Sequence, residues 1–304
     1  MKRMTVIISL SFMLVFFTVL LYAQFTDWSS PVNLGAPVNS SAFETCVSVS
    51  KNGLSLYFGR SPNGSALFDL YVSKRASIDE PWGEPELVPN VNSSSNEFCP
   101  ALSLDEHRLY FASNRPGGCG LLDIYVSRRH DRRDDFGWGP PENIGCQVNS
   151  PGRDQTPYFF EDETGAEVMY FGSNRAGSFD IYETRMRDDD TFGPVTPVAE
   201  LNTEFDELGP AVRRDGLEIV FDSTRPDGLG QRDVWTATRE SSSAPWSVPV
   251  NLTILNGPFF DGGRMSFSFD GRMLYFSSVR DGGEGQSDIY VTTREKLRGN
   301  NKDK

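Results

Sequence analysis

Short runs of apolar and β-branched residues, each bounded by Gly, Pro, Asn, Asp or Ser, recur in the same order along the chain. Asn, four intervening residues and an acid occur at Asn39/Glu44, Asn92/Glu97, Asn149/Asp154, Asn202/Glu207 and Asn256/Asp261. A β-rich apolar run follows and ends near an arginine, at Arg60, Arg115, Arg175, Arg225 and Arg280. After a Gly-containing turn comes Asp-apolar-aromatic, beginning at Asp69, Asp123, Asp180, Asp233 and Asp288. An aromatic near a proline opens the last segment: Trp28, Trp82, Trp138, Phe192 and Trp246, spaced 54, 56, 54 and 54 residues apart. In the second unit the pattern predicts strands over 98–103, 108–113, 123–128 and 139–144.

One small sheet cannot bury both of its faces alone, so a four-stranded unit present five times predicts an all-β, five-bladed β-propeller. A β-solenoid is the alternative. The chain starts with WSSPVNL, a fourth strand lacking its first three, and finishes at DIYVTTR, a third strand lacking its fourth. The N-terminal strand is therefore expected to complete the last blade, closing the ring and hiding two sheet edges. The expected divisions are a signal peptide over 1–23, the propeller over 24–294 and a polar, disordered tail over 295–304. Lys2 and Arg3, an uncharged apolar stretch over 5–23 and the small Ala23 have the order of an export signal. An uncleaved membrane anchor is the other reading of that stretch. The expected location is periplasmic or secreted.

A net charge of −13 over 304 residues argues against a nucleic-acid partner, which would need clustered Lys and Arg. Only two histidines, His107 and His130, are available, and both are expected in exposed turns or loops. No GxSxG, HExxH, CxxC, P-loop or dinucleotide fingerprint is present. The mixed run RRHDRRDD at 128–135 reads as a solvated loop.

In an antiparallel blade the entry to strand one and the loop between strands two and three share a face. That puts Glu44, Glu97, Asp154, Glu207 and Asp261 in an acidic collar at one mouth of the channel, with Arg60, Arg115, Arg175, Arg225 and Arg280 nearby. Two readings of the collar compete. Either these residues build each blade, with Arg paired to acid and Asp capping a loop, or the collar binds a cation or a partner's cationic side chain. Residues that differ between blades suit specificity better, and they lie in the loops SPNGSALF, PGGCGLL, AGSF, PDGLGQR and DGGEGQS. DGGEGQSD has an irregular likeness to calcium-binding Gly-Asp repeats, against which stands a plain turn; no other cofactor is indicated. Of four cysteines, Cys119 and Cys146 reach the same mouth and suit a disulfide, while Cys46 and Cys99 are expected as buried free thiols.

The pattern N-[ST]-x3-E-x2-P-x2-S-x-D, then LYF-x-SNR-x-G, DIYVS and W-x-x-P, resembles the WD-like β-propeller repeat of the bacterial Tol-system periplasmic (TolB-like) protein. The likeness covers about residues 28–294 and is most specific over 92–129. It departs at Val47 and Arg264, which stand at the Pro position, and at FFEDETGAE in the third unit. The resemblance implies a periplasmic or secreted propeller that binds proteins through one face, without a reaction. The primary expectation is therefore a non-enzymatic scaffold of the cell envelope, docking a protein partner on the acidic mouth. The alternative is a five-bladed glycoside hydrolase or carbohydrate-binding propeller, with mouth carboxylates at work and Trp82 or Trp138 stacking a sugar. Two acids about 5–5.5 Å apart would then suit retention and about 6.5–9.5 Å inversion. Against hydrolysis stands the repetition itself, since acid–base chemistry needs carboxylates in unlike environments.

Overall fold

The computed structural model describes residues 25–297 except 63, 64 and 66. The expected signal peptide and most of the polar tail lie outside the described residues. Strand β1 is Val32–Asn33. The first blade consists of β2 (Phe43–Val49), β3 (Ser55–Ser61), β4 (Asp69–Lys74) and β5 (Glu86–Leu87). The second has β6 (Glu97–Leu102), β7 (Arg108–Ser113), β8 (Asp123–Arg128) and β9 (Glu142–Asn143). The third has β10 (Asp154–Glu161), β11 (Glu167–Ser173), β12 (Asp180–Arg185) and β13 (Thr196–Pro197). The fourth has β14 (Glu207–Val212), β15 (Glu218–Ser223), β16 (Asp233–Thr238) and β17 (Val250–Asn251). The fifth has β18 (Asp261–Phe267), β19 (Met273–Ser278) and β20 (Asp288–Thr293), completed by β1 in the order β1-β20-β19-β18.

The expected five-bladed propeller and its N-terminal closure are thus both present. Val32 pairs with Val291 and Asn33 with Tyr290, and an isolated bridge joins Phe25 to Lys296, two residues past the expected end of the ring. Each outermost strand is only two residues long, shorter than the 139–144 expected in the second blade.

The second strands read as unbroken apolar runs because blades cover them on both faces. Leu56, Tyr57 and Phe58 all have no exposed surface. The hydrophobic core is divided among five clusters, each lying between neighbouring blades; one joins Tyr57, Leu70 and Val72 to Leu109, Phe111 and Trp138. Fully burying such a side chain stabilises by about 1.5–3 kcal/mol.

The tryptophan of four units lies beneath the arginine that directly follows a third strand: Arg75 over Trp82, Arg129 over Trp138, Arg239 over Trp246 and Arg294 over Trp28. These tryptophans are buried, so the expected sugar platform at Trp82 or Trp138 does not exist. The charged run 128–135 is likewise not simply solvated. Arg129 and Asp135 are buried and bonded at 2.8 Å, and Tyr57 Oη donates to Asp135 at 2.6 Å.

Every first strand carries a register shift against its neighbour, and the bulged residue has positive φ: Cys46, Cys99, Thr156, Gly209 and Gly263. A bulge re-aims a side chain, and here it turns Cys46 and Cys99 towards each other. They form a disulfide with Cα atoms 4.6 Å apart, so neither is the expected free thiol. The assumption that equivalent positions point the same way round the ring fails because the bulge breaks strand alternation. Cys119 and Cys146 form a second disulfide, with Cα atoms 5.5 Å apart.

Candidate functional site

The collar acids sit at the start of the first strands, yet all five have no exposed surface. Each turns into its own blade and meets an arginine. Glu44–Arg60 is 2.8 Å, Glu97–Arg115 2.9 Å, Asp154–Arg175 2.7 Å and Glu207–Arg225 3.1 Å, and Asp261 pairs with Arg280. The arginines also donate to carbonyls of the incoming loop, as Arg115 does to Val91 at 2.7 Å. Hydroxyls and a backbone N–H supply the remaining bonds: the Ser93 and Ser113 hydroxyls and the Ser93 N–H all donate to Glu97. Burial pushes the Glu44 carboxyl up against the opposing pull of Ser40 and Arg60. The collar is therefore an internal latch. The residue preceding each acid, by contrast, keeps exposed surface: Phe43, Asn96, Arg153, Asp206 and Phe260.

The strand-three aspartates divide into two groups. Asp123 accepts from Gly120 N–H at 3.0 Å and Asn143 at 2.8 Å, and Cys119 N–H also bonds it. Asp233 and Asp288 cap their loops in the same way. In DGGEGQSD, Asp288 is thus occupied by backbone N–H groups, as in a turn. Asp69 and Asp180 stand apart: both are half-buried and make no such cap among the described residues. The Asp69 carboxyl is pushed up by burial and then by Glu97. Asp180 is pushed up by burial, then by Glu207 and Asp206.

Beside Asp180 the fourth blade breaks the repeat at three positions. Asp206 stands where other blades have Phe, Asn or Arg. Asp222 stands where they have Gly59, Ala112, Gly172 and Ser277, and Arg232 replaces Phe68, Leu122, Phe179 or Ser287. These three residues meet. Arg232 Nη1 donates to Asp222 Oδ1 at 2.7 Å, and its Nη2 lies 3.4 Å from Asp206 Oδ2. Phe179 N–H donates to Asp206 Oδ1 at 2.9 Å, tying this carboxylate to the Asp180 loop. Asp222 is 1% exposed, and burial pushes its carboxyl up against the pull of Arg232. Room for it comes from the next blade: a Cβ on Gly262 would lie 2.4 Å from Asp222 Cβ, and Gly262 has φ +140. At two of the equivalent interfaces this space holds Phe98 over Gly59 and Leu208 over Gly172.

Blades one and two carry apolar groups at the same end of the ring. Phe68 packs on Phe43 and Phe98 with centroids 5.7 and 5.9 Å apart, and all three are half-exposed. The mouth thus holds an aromatic cluster on one side, with Asp180, Asp206, Asp222 and Arg232 at blades three and four. Among the described residues no group of three or more His, Cys, Asp or Glu is arranged to hold a metal ion. Sequence reasoning singled out PDGLGQR, which ends in Arg232, and the strand-three aspartates, but it missed Asp206 and Asp222. The signal lay in positions where one unit departs from the other four.

No family model matches the chain, and no curated protein matches it. Solved structures share its fold at low identity. An endo-arabinase from Bacteroides thetaiotaomicron aligns with TM-score 0.60 and 16% identity, covering 87% of this chain and 97% of the other. A GH43_1 enzyme from Xanthomonas citri complexed with xylotriose gives 0.60 and 15%, over 86% and 89% of the chains. An α-L-arabinofuranosidase from Podospora anserina in complex with cellotriose gives 0.56 and 10%, over 90% and 98%.

These findings overturn the resemblance to the Tol-system repeat. The expected protein-docking scaffold is overturned with it. The structures sharing the fold are mostly glycoside hydrolases, and the collar presents no carboxylate to a partner.

Proposed function

We propose that the protein is a carbohydrate-active propeller of glycoside hydrolase type, holding a glycan across the mouth at Asp180, Asp206 and Arg232, with Asp222 buried behind the guanidinium. The observation that carries the reading is the convergence of Asp206, Asp222 and Arg232, three departures from the repeat, beside the uncapped Asp180. Unlike the collar acids, these carboxyls differ from one another in environment, as acid–base chemistry at a glycosidic bond requires.

Asp180 is the proton donor in this assignment. Its raised pKa keeps a larger share of the carboxyl protonated than an ordinary aspartate would. Asp206 is half-exposed beside the Arg232 guanidinium and is placed to activate water or attack the anomeric carbon. Asp222, buried against Arg232, is a positioning residue that fixes the guanidinium beside Asp206. The Phe43, Phe68 and Phe98 cluster supplies an apolar surface for a sugar ring. The bound xylotriose and cellotriose named for two of the similar structures fit a glycan ligand. An exported setting belongs to the same proposal, because two disulfides suit an oxidising compartment.

The test is turnover of arabinan, xylan and their aryl glycosides by the wild-type protein and by Asp180→Asn and Asp206→Asn. Each substitution is expected to lower kcat/KM by about 10²–10⁴-fold. Activity should fall as pH rises through the raised pKa of Asp180, and that limb should vanish in Asp180→Asn. Absence of turnover on every glycan, or variants as active as wild type, would overturn the assignment.

A further inference from the structure

At the other end of the ring the first strands finish around a cavity of about 160 Å³, walled by Tyr158, Phe267 and Phe269. Arg264 also lines it. This residue stands where the other blades have Val47, Pro100, Pro157 and Pro210. Its Nε donates across the channel to the Pro157 carbonyl at 2.7 Å, its Nη1 donates to the Val47 carbonyl, and its guanidinium lies 5.1 Å from the Tyr158 ring centroid.

Arg264 is 2% exposed. Arg129 and Arg294 are the other buried arginines among the described residues, and each has a carboxylate: Asp135 at 2.8 Å and Glu218 at 2.8 Å. Arg264 has none. Burial pulls its guanidinium down to about 10, with only Tyr158 opposing, so it remains a cation at neutral pH. Carbonyl dipoles satisfy two of its donors but leave the buried charge uncompensated, an arrangement that favours an anion.

Two further donors line the same space. Ser48 Oγ accepts from Leu102 N–H at 3.2 Å and Ser266 Oγ from Val49 N–H at 3.1 Å. Both serines are buried, and neither hydroxyl proton has an acceptor among the described residues. The charged groups around the cavity are Lys51, Arg214, Glu106 and Glu161; Glu106 already accepts from Lys51 N–H at 2.6 Å. With Arg264 the lining carries three cations against two carboxylates, within a chain of net charge −13.

We propose that this cavity binds a small organic carboxylate, its anionic end against Arg264 and the Ser48 and Ser266 hydroxyls and its apolar body between the aromatic walls. The space suits such a ligand, since a dry cavity of about 150 Å³ takes up benzene. The site lies at the opposite end of the first strands from the glycan mouth and stands independently of that assignment.

Benzoate is the probe, with benzyl alcohol as its neutral counterpart, each titrated calorimetrically into the intact protein. Benzoate is expected to bind at least about tenfold more tightly than the alcohol, as a charge-assisted contact requires. Arg264→Met should remove that preference while circular dichroism shows a folded protein. If this variant does not fold, Ser48→Ala/Ser266→Ala should weaken benzoate about threefold or more while leaving the alcohol unchanged. Equal binding of the two probes, no benzoate binding at about 10 mM, or unaltered affinity in a folded variant would overturn the proposal.

Discussion

Glu97 illustrates how a residue repeated in every unit can look functional in sequence and be structural in space. Its carboxylate has no exposed side-chain surface, and Arg115 beside it is 16% exposed. Ser93 and Ser113 hydroxyls donate to the same oxygen. Removing the carboxylate strands the guanidinium and both hydroxyls, so Glu97→Ala is expected to destabilise by about 1–3 kcal/mol in denaturant unfolding. An unchanged midpoint and slope would show that the latch contributes nothing at this position. The residues that break the repeat tell the opposite story. Asp222 and Gly262 form an exchange of size across a blade interface, visible only when one asks which side chain fills the space above Gly59 and Gly172. Each alone reads as ordinary variation in a loop-rich chain. Together with Arg232 they place charge where two of the other interfaces place Phe98 and Leu208.

At the scale of the strand, alternation relates neighbouring side chains only as far as the bulge. The first strands carry their register shift two or three residues after the collar acid, and beyond that point the sequence parity no longer tells which way a side chain points. This is why Cys46 and Cys99 were legible as buried but not as partners. Cys119 and Cys146 were easier, because a loop and the end of an outer strand meet at one mouth regardless of parity. Their disulfide closes a sequence separation of 27 residues within and just beyond the second blade. The chain-entropy relation for a loop of that length gives about 3–4 kcal/mol. Cys119→Ala/Cys146→Ala is therefore expected to lower unfolding free energy by about 3 kcal/mol under oxidising conditions, and the difference should disappear when wild type is reduced and Cys46–Cys99 is also removed from both proteins. Equal stability of the oxidised pair would mean that this crosslink does not constrain the unfolded chain.

For the whole molecule, the architecture was legible because a period near 55 residues repeats and because the chain starts and stops out of phase with it. No comparable signal marks the function, which rests on a handful of side chains in one part of a ring. The closure itself is small in hydrogen bonds and larger in packing. Strand β1 contributes two residue pairs to β20, while Trp28 is buried beside Phe267 and beneath Arg294. Because the hydrophobic clusters lie between blades, opening one interface leaves the fifth blade supported on one side only. Deleting residues 25–36 removes β1 and Trp28 together and bares the outer edge of β20. The truncated protein is expected to melt at lower temperature, and to self-associate through the free edge in size-exclusion chromatography. Trp28→Ala keeps the strand and removes only the buried ring, at a cost of about 3–5 kcal/mol, without exposing an edge. It should thus lower the melting temperature and remain monomeric. If the truncation melts as wild type does, the ring does not depend on its N-terminal strand; if Trp28→Ala associates as strongly as the truncation, loss of packing rather than a bare edge drives association.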